Sequence, residues 1–533
     1  MTAVYKFELI LLALLVLVIC FGSVARWLRL PYPIVLVIAG LAVSLVPGLP
    51  RIPLNPDLIF IGVLPPLLFS AGFTTSWHEF RYNLASISLL AFGLVGFTVV
   101  GVAFMAHMLL PEFDWRLGLV LGAVVAPTDA IAATAIGKRI GLPRQIIDIL
   151  EGESLINDAS GLLALQLATS FIVNGNVPSL IGGIWELIYL PTGGILAGLL
   201  IGKLVHVLGR KLDDSPIEVT ITLVIPYVAY LSAEAIHCSG VLAAVAAGLF
   251  LGQKSSSLFS SVSRIESRSF WNTFTFVLNS LVFLLIGLQL PFILSEIRSM
   301  PTRILILDAA EFVIGVILLR LLWVYPSASV AHLIRRYLQK QPENPPTFRS
   351  VFVIGWTGMR GVIALAAAIA LPQTVANGSP FPQRNVIIFL TFCVIFVTLV
   401  VQGLTLPPII RALGLSQAPT KDPEERHARR KMAKAALERL NDMRDELSAF
   451  PDVYDDLRRY YERRLAFAQP EDGENADPNG REYQEIYHSL ANKLRAVERS
   501  TAMRMYRERE IPDNVLQTLE RELDLLDLRF ADT

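Results

Sequence analysis

The sequence predicts an all-α polytopic membrane protein with a helical appendage, on three observations. The 533 residues are 53% hydrophobic with a mean hydropathy of +0.53, above what ordinary soluble chains show. From Phe7 to Ile410 the apolar residues come in long runs, many uncharged over about 18 residues, the length of a membrane-crossing helix. After Ala418 the runs stop and Lys, Arg, Glu and Asp take over, so the formal net charge of zero averages two unlike parts. The expected domains are 1–414 in the membrane and 415–533 as a cytoplasmic helical tail.

Thirteen spans follow from the runs, roughly at 7–24, 33–48, 57–76, 84–110, 116–137, 146–173, 180–209, 217–236, 239–253, 270–292, 304–333, 351–371 and 385–410. Loop charges test the count. The N-terminus and even-numbered gaps hold six basic residues: Lys6, Arg51, Arg116, Arg298, Arg303 and Arg384. The odd-numbered gaps hold sixteen, from Arg26 and Arg29 through Lys138, Arg139 and Arg144 to Arg335, Arg336, Lys340 and Arg349. Positive charge stays inside, so the N-terminus is expected outside and the tail in the cytoplasm. The first run, Phe7 to Phe21, follows a single basic residue and lacks a small-residue cleavage site, unlike a signal peptide. Cys20, Cys238 and Cys393 are scattered through apolar surroundings and read as small apolar residues.

Charge and polarity at mid-membrane depth are costly and mark pathways. In the fifth span Pro127 lacks an N–H and should break the helix, with Thr128 and Asp129 at the break. Asp129 then either caps the second half-helix or lines an ion site; the two roles are compatible. In the sixth span Ser154 and Asp158 lie four apart on one helix face, and Asn157 borders that face. Asp158 falls about twelve residues, roughly 18 Å, into the helix, with no basic residue between Arg144 and Lys203. It reads as a titrating site, as a carboxylic acid kept neutral by burial, or as the partner of a distant Arg. In the twelfth span Gly355, Gly358, Gly361 and Arg360 interrupt an apolar segment, and local unwinding is expected. Arg360 needs an anion, and Glu153 is the leading partner, since pairing with Asp158 would lock an exchange site shut. Arg320, in the eleventh span, either pairs with an acid or snorkels. The interrupted spans are seven apart, as in an inverted-repeat transporter with a midplane ion site, where spans 1–6 would match 8–13.

These residues resemble the monovalent cation:proton antiporter family of bacterial NhaP-type antiporters and sodium/proton exchangers. The motifs are Ala126-Pro-Thr-Asp129, Glu153-Ser-Leu-Ile-Asn-Asp158 and Gly355-Trp-Thr-Gly-Met-Arg-Gly361, supported by Leu64-Pro-Pro-Leu-Leu-Phe69 and Arg320-Leu-Leu-Trp-Val-Tyr-Pro326. The likeness spans some 380 residues, and the short tail looks like the bacterial branch. It implies an inverted-repeat fold, a homodimer in the cell inner membrane, and a core that moves against a dimerisation domain. It implies that Asp158 binds cation and proton alternately, that Thr128, Asp129 and Ser154 line the sodium site, and that Glu153 and Arg360 form a structural ion pair. The Asn157-Asp158 pair goes in this family with electroneutral one-for-one exchange, and the resemblance implies a role in pH homeostasis. One departure is Ser70, where many members carry an acid, so the site is one carboxylate short.

The physics agrees. A hard cation prefers oxygen ligands, and one carboxylate that holds either a proton or a cation suffices for exchange. Loaded, it is near neutral; empty and ionised, it is held back by desolvation. Beyond transported sodium (with lithium and potassium as alternatives), protons and membrane lipid, no cofactor or nucleic-acid partner is expected. A cation channel would share buried charges and broken helices without needing a titrating carboxylate. A sensor signalling through the tail leaves Asp158 unexplained, and an intramembrane enzyme lacks a His/Asp cluster or H-E-x-x-H. In the tail, Asp422-Pro-Glu-Glu425 resembles a helix start, Leu437, Leu440, Met443 and Leu447 follow at helical spacing, and Pro470 to Gly480 reads as a polar loop.

Overall fold

The computed structural model describes residues 3–46, 54–110, 112–173, 180–209, 214–297, 302–338, 345–376, 378–416, 423–444, 451–467, 480–512, 515–516, 519–520 and 522–524. Asp422, Leu447 and the expected loop at 470–479 lie outside them. Among the described residues there is no strand, only an isolated bridge between Thr374 and Pro380. The chain divides into two compact units, Met1–Ala418 and Pro419–Thr533.

In the first unit the helices are α1 (Ala3–Trp27), α2 (Tyr32–Ser44), α3 (Leu64–Thr74), α4 (Trp77–Tyr82), α5 (Leu84–Ser88), α6 (Val95–Leu109), α7 (Trp115–Val125), α8 (Ile131–Ile140), α9 (Arg144–Val173) and α10 (Leu180–Gly209). They continue as α11 (Ser215–Ala235), α12 (Gly240–Leu258), α13 (Ser261–Leu288), α14 (Leu290–Glu296), α15 (Thr302–Leu338), α16 (Phe348–Trp356), α17 (Val362–Ile369), α18 (Arg384–Val397) and α19 (Gly403–Ala412). Among the described residues, eight helical stretches are long and apolar enough to cross a membrane, and three shorter apolar ones accompany them. Helix is what lipid permits, because every backbone group must find its partner within the segment.

Two spans are broken where the sequence placed the breaks. Helix α7, capped by the Asp114 carboxylate accepting from Leu117 N at 2.8 Å, stops at Val125, and α8 starts at Ile131. Between them stands Pro127, with no N–H to continue the ladder. Likewise α16 stops at Trp356 and α17 starts at Val362. The breaks cross, with Asp129 N donating to Met359 O at 2.8 Å. At the crossing a Cβ on Gly361 would lie 2.5 Å from Asp129 Cβ, so only glycine permits the approach.

Three π-helical turns, Leu58–Val63, Leu89–Leu94 and Thr398–Gln402, interrupt helices that the apolar pattern reads as continuous. A π turn frees backbone carbonyls, and here Leu89 O accepts from Trp323 Nε1 at 3.1 Å and Ala91 O accepts from the Ser160 hydroxyl. Helices α11 and α12 are joined by four residues, in which His237 takes a positive φ of 56° and Ser239 caps α12. Helix α2 crosses α13 where Gly40 and Gly287 meet; a Cβ on either would lie 2.3 Å from the opposing backbone oxygen. Such small-residue crossings let membrane helices pack by backbone contact.

The second unit contains α20 (Pro423–Asp442), α21 (Pro451–Phe467) and α22 (Gly480–Arg507). Tyr454 donates to Asn441 Oδ1 at 2.8 Å and ties α20 to α21, while Arg499 pairs with Asp524 at 2.8 Å.

Candidate functional site

The 30-residue α9 runs from Arg144 to Val173, so Asp158 stands at its midpoint. Its side chain faces a cavity of ≈ 500 Å³ beside the break in α7/α8. Thr128, Asp129, Ser154 and Asp158 all line that cavity. Asp158 is only 8% exposed, and among the described residues it has no hydrogen-bond or ion-pair partner. A buried carboxylate without a protein partner must be satisfied by a proton, a cation or water.

The surrounding oxygens are held in place by the break. Asp129 Oδ1 accepts from Ile131 N at 2.8 Å, so this residue caps the start of α8 while lining the cavity. Ser154 Oγ accepts from Ala130 N at 3.3 Å, bridging α9 to the same break. Asn157 is not on the cavity wall. Its amide donates to Thr128 O at 3.1 Å and Thr128 Oγ1 at 2.7 Å, and Thr128 Oγ1 in turn donates to Glu153 Oε1 at 2.8 Å. Asn157 thus holds Thr128 from behind that wall.

The ion pair differs from expectation. Glu153 is paired with Arg320, not Arg360: Nη1 donates to Oε1 at 2.5 Å and Nη2 to Oε2 at 2.9 Å, both side chains 2% exposed. Arg320 also donates to Gly355 O and Ile354 O at 3.1 Å each. Arg360 instead donates to Ala126 O and, at 3.3 Å, to Pro127 O, while its own N donates to Thr398 Oγ1 at 3.1 Å. The physical reason lies in the breaks. A helix that stops in mid-membrane leaves unpaired carbonyls and the negative end of its dipole, and a cation satisfies both. Arg360 serves the carbonyl end of α7 and Arg320 that of α16. Glu153 offsets the second of these charges in a fork-to-fork geometry.

Sequence reasoning missed one wall of the cavity, Asn272, Thr275 and Asn279 on α13. Their spacing of three and four in an apolar span was the available signal, because it places all three on one helix face. Ser70 lines the cavity too, so the residue that departs from the acidic pattern sits at the site itself. Lys138 and Glu151, joined at 2.7 Å and with side chains 62% and 34% exposed, line the end that opens to solvent.

A multi-pass helical fold with two helices broken at one crossing, and an unpartnered carboxylate beside it, defines a secondary transporter. The sequence model of the family described as "Sodium/hydrogen exchanger, transmembrane" matches residues 10–412, and the chain belongs to that family. It is 33% identical over 533 residues to an uncharacterised Na(+)/H(+) exchanger of Mycobacterium tuberculosis, covering 99% of this chain and 97% of that one. It is 30% identical over 539 residues to the sodium, potassium, lithium and rubidium/H(+) antiporter of Bacillus subtilis, covering 98% of this chain and 78% of the other. The fold matches the sodium proton antiporter MjNhaP1 of Methanocaldococcus jannaschii with a TM-score of 0.59 at 19% identity, over 75% of this chain and 100% of that one. None of these matches supports a channel.

Proposed function

We propose that this protein exchanges sodium for protons, one for one, by alternating access, with Asp158 as the group that carries either ion. Lithium and potassium are the alternative cargo, as the name of the B. subtilis relative suggests. The observation that carries the reading is Asp158 itself, a carboxylate at the midpoint of a membrane helix, on a cavity wall, with no partner among the described residues.

Hydroxyl and carboxylate oxygens of Thr128, Ser154 and Asp129 stand on the same cavity and supply the ligands a hard cation prefers. With a proton or a sodium ion bound, Asp158 is near neutral and its passage through a dry intermediate carries little desolvation cost. Empty and ionised it carries the full cost, which blocks slippage. Two buried cations are committed elsewhere, Arg320 to Glu153 and Arg360 to the end of α7. Neither therefore competes with sodium for Asp158.

We place the N-terminus outside and the tail in the cytoplasm of the cell inner membrane, across thirteen spans, with 1–414 as the transport domain and 415–533 as the appendage. A homodimer is the proposed assembly. The test is Asp158→Asn in proteoliposomes, which removes the titratable proton and the anionic ligand while keeping size. Sodium-driven proton movement should vanish while the protein stays folded. A purified variant that still exchanges at a rate comparable to the parent would refute the assignment.

A further inference from the structure

A second cavity, of ≈ 1050 Å³, lies between α1, α2 and α13 on one side and α8 and α19 on the other. Four arginines line it, Arg26 and Arg29 at the end of α1, Arg139 at the end of α8 and Arg411 at the end of α19, and no acidic residue does. Far apart in sequence, they come together because the ends of three helices meet at this cavity. Arg139 donates to the carbonyl of Arg29, which itself holds a left-handed backbone with φ 55°, and this ties the two chain segments together. For Arg26 and Arg411 no described residue offers the side chain a hydrogen bond or an ion pair.

Four guanidinium groups around one cavity repel one another, and a counter-anion relieves that repulsion. Apart from Ser23, Tyr32 and Ser416, the rest of the lining is apolar, including Ile19 and Leu404, which are 67% and 42% exposed. Trp27, next to Arg26, is 82% exposed, as befits a side chain at the depth of lipid headgroups. A small aqueous anion would use the arginines and leave the apolar rim bare. A lipid uses both, and basic pockets between membrane helices are suited to anionic headgroups. We propose that this cavity binds an anionic phospholipid, its phosphate held by Arg26, Arg29, Arg139 and Arg411 and its acyl chains lying along α1 and α19.

The test uses the full-length protein in neutral detergent, with thermal unfolding followed as phosphatidylglycerol or phosphatidylcholine is added. Phosphatidylglycerol should raise the melting temperature and phosphatidylcholine should not. The double variant Arg26→Gln/Arg411→Gln removes two of the cations and breaks no described bond. It should need roughly 30-fold more phosphatidylglycerol for the same stabilisation, and Arg26→Lys/Arg411→Lys should restore most of the response. Lys203→Gln/Lys254→Gln removes two exposed charges elsewhere on the membrane unit and should behave as the parent. Equal weakening by that control would mean diffuse attraction and overturn the proposal. So would a parent that ignores phosphatidylglycerol, or one that inorganic phosphate stabilises equally well.

Discussion

Glu153 and Asp158 ride on the same helix, about 140° apart around its axis at 100° per residue, and this separation divides their work. Glu153 turns away from the cavity into a fork with Arg320, while Asp158 turns toward it and is left without a partner among the described residues. A double-mutant cycle checks the assignment. Arg320→Ala strands a buried carboxylate and should destabilise by roughly 3–5 kcal/mol, with most of the loss recovered in Arg320→Ala/Glu153→Ala. Arg360→Ala leaves the carbonyl end of α7 bare, so adding Glu153→Ala to it should recover little. Thermal unfolding in detergent reads both; equal recovery in the two cycles would contradict the pairing. Asn157 belongs to this scale too. Because its amide holds Thr128, Asn157→Ala should raise the sodium KM severalfold yet leave exchange measurable, unlike Asp158→Asn.

Among elements, the crossing of the two broken helices governs the site. Asp129 N bonds Met359 O, and Gly361 lies against the Asp129 side chain. Gly361→Ala must push the strands of the crossing apart, since its Cβ would fall 2.5 Å from Asp129 Oδ2. Sodium/proton exchange should fall by an order of magnitude or more while the protein still reaches the membrane; full activity would show that the crossing tolerates displacement. The polar face of α13 makes a milder prediction. Thr275→Val/Asn279→Leu removes hydrogen-bonding groups from the cavity wall without touching the carboxylates, so the sodium KM should rise and the pH profile stay put. A shifted pH profile would instead tie these residues to the proton step.

For the whole molecule, the division into Met1–Ala418 and Pro419–Thr533 and the charge bias of the loops make one joint prediction. Reporter fusions near Lys6 should report the outside, and fusions after Ala418 the cytoplasm. Both ends on one side would remove the odd number of spans on which the two-half arrangement depends.

Much of this was legible before any coordinates. Apolar runs, the missing N–H of Pro127, three glycines around Arg360 and an acid in mid-span are local facts, and each forces its consequence through lipid, which leaves no water to satisfy a stray polar group. They determined the all-helical membrane class, both breaks and the face shared by Ser154 and Asp158. Which arginine meets Glu153 was not a local fact. Both candidates sit in apolar spans far from it in sequence, and the choice fell to the packing that aims Arg360 at the end of α7 and Arg320 between Glu153 and the end of α16. Only the tertiary structure, too, turned α13 toward the site and gathered Arg26, Arg29, Arg139 and Arg411 around one cavity. Sequence spacing determines which face of a helix a residue occupies; what that face meets is settled by the packing of the other helices.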